Sequence, residues 1–310
     1  MKLFVTGATG ALGRAAVPHL VAAGHEVRAV ARTDAKAAKL RAAGAEPVSV
    51  DLFDPDAVRA AVAGCDGVAH LATHIPATRK AMRDSAWEEN NRLRTDTTRY
   101  LVDAAIAAGA SVVVKESITF IYPDRGPDWI DEDVPVSAIG PIVEPTLEGE
   151  RIIGGFTGDG RRGIVLRFGL FYGPKNPMTV EGLRLARWRA SRVTGKAGDY
   201  MSSIHTDDAG AAVAAALDAP AGIYNVADDE PLTRRAYLDA FSRAFGLPKL
   251  RVTPGWVVKL LAGKAAGVLL ASQRVSNRRF RDLTDWTPAY PSAREGWAAV
   301  AATEKEKTHA

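Results

Sequence analysis

The 310-residue sequence predicts an α/β fold: a doubly wound parallel sheet followed by a smaller, mostly helical C-terminal lobe. Three observations carry that expectation. Short runs that are apolar almost throughout, such as Ser111–Lys115 (SVVVK), alternate with helix-like stretches, the pattern of strands covered on both faces. A glycine-rich turn, Thr6-Gly7-Ala8-Thr9-Gly10-Ala11-Leu12-Gly13, joins the first strand to the first helix. Beyond about residue 170 the rhythm gives way to short helical runs broken by Gly and Pro.

Lys2–Thr6 reads as the first strand and Leu12–Ala23 as the first helix. Pro18 should kink that helix, because it removes a bond to the Arg14 carbonyl. Glu26–Val30 is the second strand, Asp34–Ala43 a helix closed by Gly44, and Glu46–Val50 the third strand. Asp54-Pro55 then starts a helix, since Asp caps free amides and Pro tolerates the first helical position. Gly67–Leu71, a long helix Trp87–Ala108 closed by Gly109, the strand Ser111–Lys115, the helical Glu144–Gly154 and the strand Gly163–Phe168 complete a sheet-forming half, 1–170. The lobe 171–310 reads as helices Glu181–Arg192, Asp207–Leu217, Arg234–Phe245, Trp256–Leu261 and Ser292–Lys305. Within it, 203–227 is expected to return to the sheet through Tyr224–Ala227.

Composition narrows the class. A hydrophobic fraction of 47% and a charged fraction of 25% exclude a disordered chain and a collagen. Forty basic against 36 acidic residues leave only +4, too little and too evenly spread for nucleic acid. The single cysteine, Cys65, cannot form an internal bridge, as suits a reducing compartment. The most apolar late stretch, Val257–Ala271, carries Lys259 and Lys264 and falls short of the ~20 residues that span a bilayer. The expectation is a cytoplasmic monomer or homodimer that takes a small-molecule substrate and no nucleic acid or membrane.

The glycine turn is the strongest local signal. It follows a strand and opens a helix, the context of a Rossmann dinucleotide site. Gly7 permits the tight turn, Gly10 lets the backbone approach a diphosphate, and Gly13 allows close packing. The amides of Thr9, Ala11, Leu12 and Gly13 then face phosphate oxygens. At the tip of the second strand stands Val30-Ala31-Arg32, with no carboxylate to bind a ribose 2′-hydroxyl. Arg32, assisted by Arg14, suits a 2′-phosphate; the alternative is that both are solvated surface arginines. NADP(H) is therefore expected over NAD(H). Asp51 can accept the adenine amine while Leu52 covers the ring, although Asp51 also suits a plain turn. Leu71-Ala72-Thr73 should lie along the cofactor ribose.

With those residues in view the chain resembles the extended short-chain dehydrogenase/reductase superfamily, the NAD(P)-dependent epimerase/dehydratase group. The shared motifs are TGATGALG at 6–13, DLFDP at 51–55, VAHLAT at 68–73, SITFIY at 117–122, LRFGLFYGP at 166–174, SIHTDDAG at 203–210 and YNVADDEPLT at 224–233. The resemblance also implies that Phe168 and Leu170 lie beside the cofactor. It further implies catalysis by a Tyr and a Lys four residues later, helped by a Ser or Thr near the fifth strand. None of the seven tyrosines has a lysine four residues on. Aligning on Glu150 puts Ile142 and Thr146 at the Tyr and Lys positions, and counting back from Tyr122 puts Ile118 at the hydroxyl position. The chain thus looks like the atypical branch.

Four residues are left as candidates for proton transfer: Tyr122, Ser117 and Thr119 beyond the fifth strand, and Glu144 on the following helix, with Glu148 one turn on. Two other function classes stay open: a cofactor sensor without turnover, and a non-redox cyclase or lyase on the same fold. His70 and His74 are four apart, but one is in a strand and the other in a loop, so no metal site is expected. His74 suits the cleft, and His205 resembles the family's structural histidine. The arginines at 184, 187, 189 and 192, and those at 278, 279 and 281, read as solvated faces.

Overall fold

Strands β1 (Lys2–Thr6), β2 (Glu26–Val30), β3 (Glu46–Val48), β4 (Gly67–His70), β5 (Val112–Ile118), β7 (Arg162–Phe168) and β11 (Gly222–Val226) form one parallel sheet in the computed structural model. It describes residues 1–76, 83–136, 143–174, 176–186, 188–191, 193–256, 267 and 270–309. Short strands β6 (Trp129–Ile130), β8 (Leu170–Tyr172), β9 (Tyr200–Met201), β10 (Ser203–His205), β12 (Leu232–Thr233) and β13 (Arg274–Val275) pair off outside it. The sheet order is β11-β7-β5-β4-β1-β2-β3. The chain therefore reverses its winding direction between β1 and β4, where sheets of this kind open a crevice at their carboxyl edge.

Helices α1 (Ala11–Ala22), α2 (Asp34–Ala42) and α3 (Pro55–Val62) lie close to their expected bounds. Asp54 caps α3, its Oδ1 accepting from the amides of Asp56 at 3.0 Å and Ala57 at 3.2 Å. The single helix expected over 87–108 is instead a 3₁₀ turn (Asp84–Trp87), α4 (Glu88–Arg92), a π turn (Leu93–Thr97) and α5 (Thr98–Ala108). Strand β5 runs to Ile118, three residues past the expected end, and so carries Lys115, Glu116 and Ser117 into the interior. After it come α6 (Val143–Phe156), α7 (Pro177–Ala186), α8 (Thr206–Ala215), α9 (Arg234–Ala244), α10 (Arg278–Leu283) and α11 (Ala293–His309). The helix expected at Trp256–Leu261 lies, past Trp256, outside the described residues, as do Ile142, Arg187 and Arg192. Among the described residues, no helix is long and apolar enough to cross a membrane.

Both sheet faces are covered, which explains strands without polar alternation. On one face α1 and α8 bury Leu12, Val17, Leu20, Ala209 and Val213 against Val5, Val114 and Leu166. On the other, α3, α5 and α6 bury Val58, Leu101, Ile153 and Phe156 against Phe4, Val113 and Val165. A separate cluster, Tyr172, Tyr237, Phe241 and Trp297, packs the C-terminal helices. Asp208 stitches that half to α8: its carboxylate accepts from the amides of Ala289 (2.7 Å) and Tyr290 (3.1 Å).

The contact between α1 and α8 depends on the missing side chain of Gly210. A Cβ there would stand 2.6 Å from the Ala15 carbonyl carbon, backbone that cannot move aside cheaply. Gly210→Val should therefore cost about 1–3 kcal/mol through overpacking. Urea denaturation would show it as a lower midpoint with an unchanged slope.

Candidate functional site

The turn after β1 is closed by the Gly10 amide donating to the Gly7 carbonyl at 2.9 Å. Gly7 has φ +69°, a conformation side chains disfavour, and a Cβ on it would strike the Leu71 carbonyl group. The loops after β1 and β4 thus meet backbone to backbone at the crevice. A Cβ on Gly13 would in turn collide with the Gly7 carbonyl oxygen and with Ala8 Cα. Gly10 caps α1 without any side-chain hydrogen bond, and no acidic residue occupies the first turn. Amides at such a helix start have no intrahelical partners. A side-chain-free cradle beside uncapped amides fits a diphosphate in both shape and charge.

Around the cradle, Thr9 and Ala11 are half-buried, whereas Leu12 packs into the core. Arg14 is exposed and its Nε donates back to the Gly10 carbonyl at 3.2 Å. Arg32 stands at the tip of β2 with its side chain 71% exposed, 4.0 Å from Glu89 of α4. Glu89 also lies 3.2 Å from His74 Nδ1, so a loose bridge crosses from β2 to the loop after β4. Glu89 was not singled out from sequence, because nothing in its spacing signals that contact. An exposed pair of this kind is worth at most about 1 kcal/mol, so Arg32 is readily released. Asp51 uses Oδ1 to accept the Phe53 amide at 2.9 Å, and Leu52 is half-buried behind it. Ala72 and Thr73 are half-buried beside Gly7, while Leu71 is buried. Phe168 sits in the core beneath the sheet edge, and Leu170 is half-buried in β8, its amide bonded to the Ser202 carbonyl.

A row of buried polar side chains runs along the carboxyl ends of β1, β4, β5, β7 and β11. His70 Nδ1 accepts from Thr6 Oγ1 at 2.7 Å, and its Nε2 donates to the Leu93 carbonyl at 2.9 Å. That carbonyl lies in the π turn, and Thr98 Oγ1 also bonds to it, at 3.3 Å. Burial, and then the Lys115 ammonium, hold the His70 pKa down at about 3. On β5, Lys115 is buried and donates to the Glu116 carbonyl at 2.9 Å. Burial first, and Arg94 next, pull its pKa down to about 8. Gly149 in α6 makes room for it: a Cβ there would lie 2.8 Å from Lys115 Cε and 2.5 Å from the Arg94 carbonyl oxygen. Glu116 faces Arg94 of the π turn at 3.4 Å.

Further along, Glu150 of α6 takes both Nε (2.9 Å) and Nη2 (2.5 Å) of Arg167, and accepts from Ser117 Oγ at 2.5 Å. Arg167 Nη1 donates to the Tyr122 hydroxyl at 2.8 Å, which donates to Asn225 Oδ1 at 2.9 Å. Three of the four residues expected to move protons are therefore inside. Tyr122 is 2% exposed, with both sides of its hydroxyl engaged, and burial pushes its pKa up. Ser117 and Thr119 are also buried; Glu144 alone faces solvent. Thr146 is buried in α6, and Ile118 is half-buried at the end of β5. Lys115, Glu116, Arg94 and Arg167 have no local sequence signal of burial, because the groups that enclose and pair them come from distant segments.

His205 caps α8 and its ring lies 4.3 Å from that of Tyr290. Arg279 pairs with Glu132 and Asp133, and Arg281 with Asp229. Arg184 and Arg189 are exposed.

A histidine held neutral in the fold and free to charge when unfolded makes stability fall with acid. The unfolded chain takes up a proton near pH 6.5, and the folded His70 does so only near pH 3. Stability is thus fully present above 6.5 and is lost between those values. His70→Gln should remove roughly 1.5 kcal/mol of the loss between pH 6.5 and 5. Urea titrations at the two pH values would read the difference. His205, lowered to about 4, and Asp208, raised to about 6 with the opposite sign, are common to both proteins.

A family model described as NAD(P)H-binding matches residues 7–153. The chain is 36% identical over 313 residues to the 3-diazoavenalumate denitrifying reductase of a Streptomyces species, covering 96% of this chain and 99% of that one. It is 27% identical over 301 residues to 2-alkyl-3-oxoalkanoate reductase of Shewanella oneidensis, covering 89% and 73% of the two. Among solved structures, the human epimerase family protein SDR39U1 (isoform 2) with NADPH superposes with a TM-score of 0.83 at 23% identity, covering 97% of this chain and 99% of that one. With the parallel sheet, the glycine cradle and a full-length relative in agreement, the chain belongs to the extended short-chain dehydrogenase/reductase superfamily and carries its NAD(P)H-binding domain.

Proposed function

We propose that the protein is an NADPH-dependent reductase of a small, electron-poor metabolite of the carbonyl type, working without the family's tyrosine–lysine pair. The observation that carries this reading is the side-chain-free cradle of Gly7, Gly10 and Gly13 beside an uncapped helix start. Full-length similarity to a protein named as a reductase supports the redox class. The second relative is named for an oxoalkanoate, which supports a carbonyl-type acceptor. Residues 1–170 bind the nucleotide and 171–310 shape the substrate side.

In this reading the amides of Thr9, Ala11, Leu12 and Gly13 hold the diphosphate, and Arg32 leaves Glu89 to meet a 2′-phosphate with Arg14 beside it. Asp51 keeps one carboxylate oxygen for the adenine amine, with Leu52 behind the ring. Leu71, Ala72 and Thr73 line the ribose, and Phe168 and Leu170 support the far end. When bound, the nicotinamide supplies a hydride to the acceptor. Tyr122 and Ser117 position β5, α6 and β7 through Arg167 and Glu150. Thr119 is enclosed with them, so a proton for the product comes from water or from Glu144. Thr146 in the lysine position has no charge with which to lower a phenol pKa, which suits an acceptor that needs little acid assistance.

Calorimetry should find NADPH bound at least about tenfold more tightly than NADH, the worth of a charge-assisted contact. Arg32→Asp should reverse that order. NADPH oxidation, followed by absorbance, should occur with part of a panel of aldehydes, ketones, conjugated carbonyls and aromatic diazo compounds. Tight binding without oxidation of any of them would leave a sensor in place of a reductase. Failure to bind either nucleotide would remove the basis of the reading.

A further inference from the structure

The π turn brings an arginine into the interior with most of its donors unused. Arg94 is 3% exposed, and only Nη2 reaches Glu116, at 3.4–3.5 Å. Its Nε and Nη1 are buried with no hydrogen-bond partner. One helical turn earlier on the same side, Asn90 is 1% exposed and its Nδ2 is likewise buried and unpartnered. Asn90 Oδ1 accepts the His74 amide at 3.1 Å, which places the asparagine directly under the loop that follows β4. Three orphaned donors and no orphaned acceptor on these two side chains call for an oxygen-bearing partner, since buried donors left unpaired are costly.

The local charge says which kind. Arg94 and Lys115 are both cationic and buried, and Glu116 is the anion between them; Glu150 is already committed to Arg167. His70 is neutral, with both ring nitrogens used. One positive charge remains uncompensated, which complements a monoanion better than a doubly charged phosphate. Two oxygens with about four lone-pair sites can serve both Arg94 and Asn90.

We propose that Arg94 and Asn90 form a carboxylate-binding site behind the loop at 71–76, so that the substrate is a small carboxylic acid held by its anionic end while its reducible group faces the cofactor. The site would orient the molecule by a contact distant from the reacting atoms, and Lys115 would supply field without touching it. Naming the substrate class in this way rests on the reductase reading above, but the binding itself does not require turnover.

Calorimetry or thermal shift in chloride-free buffer, with the full-length protein alone and with NADP⁺, would use acetate, benzoate and cinnamate against their neutral amides. At least one acid should bind about tenfold or more tightly than its amide. Arg94→Gln should abolish that preference, Arg94→Lys should retain part of it, and Asn90→Asp should weaken it by repulsion. NADPH affinity, measured separately, should change less than about twofold in all three, since none of these side chains belongs to the glycine cradle. Should Arg94→Gln fail to fold, Asn90→Asp and Arg94→Lys carry the test. Equal binding of acids and amides by the wild-type protein, or an undiminished preference in the variants, would overturn the site. Loss of NADPH binding in the wild-type protein would overturn the reductase reading and leave the carboxylate result standing.

Discussion

The close approach of two backbone turns, at Gly7 and Leu71, is the constraint on which the rest of the molecule depends. It occurs where the sheet reverses its winding between β1 and β4, and it leaves no volume for a side chain. Gly13 repeats the condition one turn into α1, where the helix start closes on the Gly7 carbonyl. The turn is therefore a backbone surface beside a helix start that no side chain caps. Everything assigned to the nucleotide follows from that surface and from the charges that surround it.

The second organising feature is electrostatic. Five neighbouring strands end in polar side chains that a parallel sheet would ordinarily replace with apolar ones. Buried ionic groups persist only when each has a partner, because desolvation costs several kcal/mol per ion. Glu150 and Arg167 meet that condition fully, and with Ser117, Tyr122 and Asn225 they join β5, α6, β7 and β11 at the edge where substrate is expected. His70 meets it by staying neutral between Thr6 and Leu93. Arg94 meets it only through Nη2 and Glu116, and its Nε and Nη1 stay without a hydrogen-bond partner. That asymmetry separates a row that holds the fold from a position poised for something else.

How far the sequence could be read depended on whether a residue's role was local. Strand and helix identities along the sheet half were legible from apolar runs, caps and glycines, and Asp54 capping α3 is a local matter settled by four consecutive residues. The glycine cradle was legible for the same reason. Tyr122 looked like a group at a strand end near the reaction, yet its hydroxyl is closed off by Arg167, 45 residues away, and Asn225, 103 residues away. No spacing rule connects such positions. The helix expected over 87–108 looked continuous because a π turn has no sequence signature of its own.

The order of elements alone determined a parallel, doubly wound sheet, because only strands buried on both faces can be apolar throughout. The turn at 6–13 determined a side-chain-free turn at the sheet edge, because only glycine tolerates both the conformation at residue 7 and the crowding at residue 13. Tertiary structure decided which charged side chains are buried and which of them are paired. Those outcomes arise from strands and helices far apart in the chain, brought together by a sheet whose register no single segment specifies.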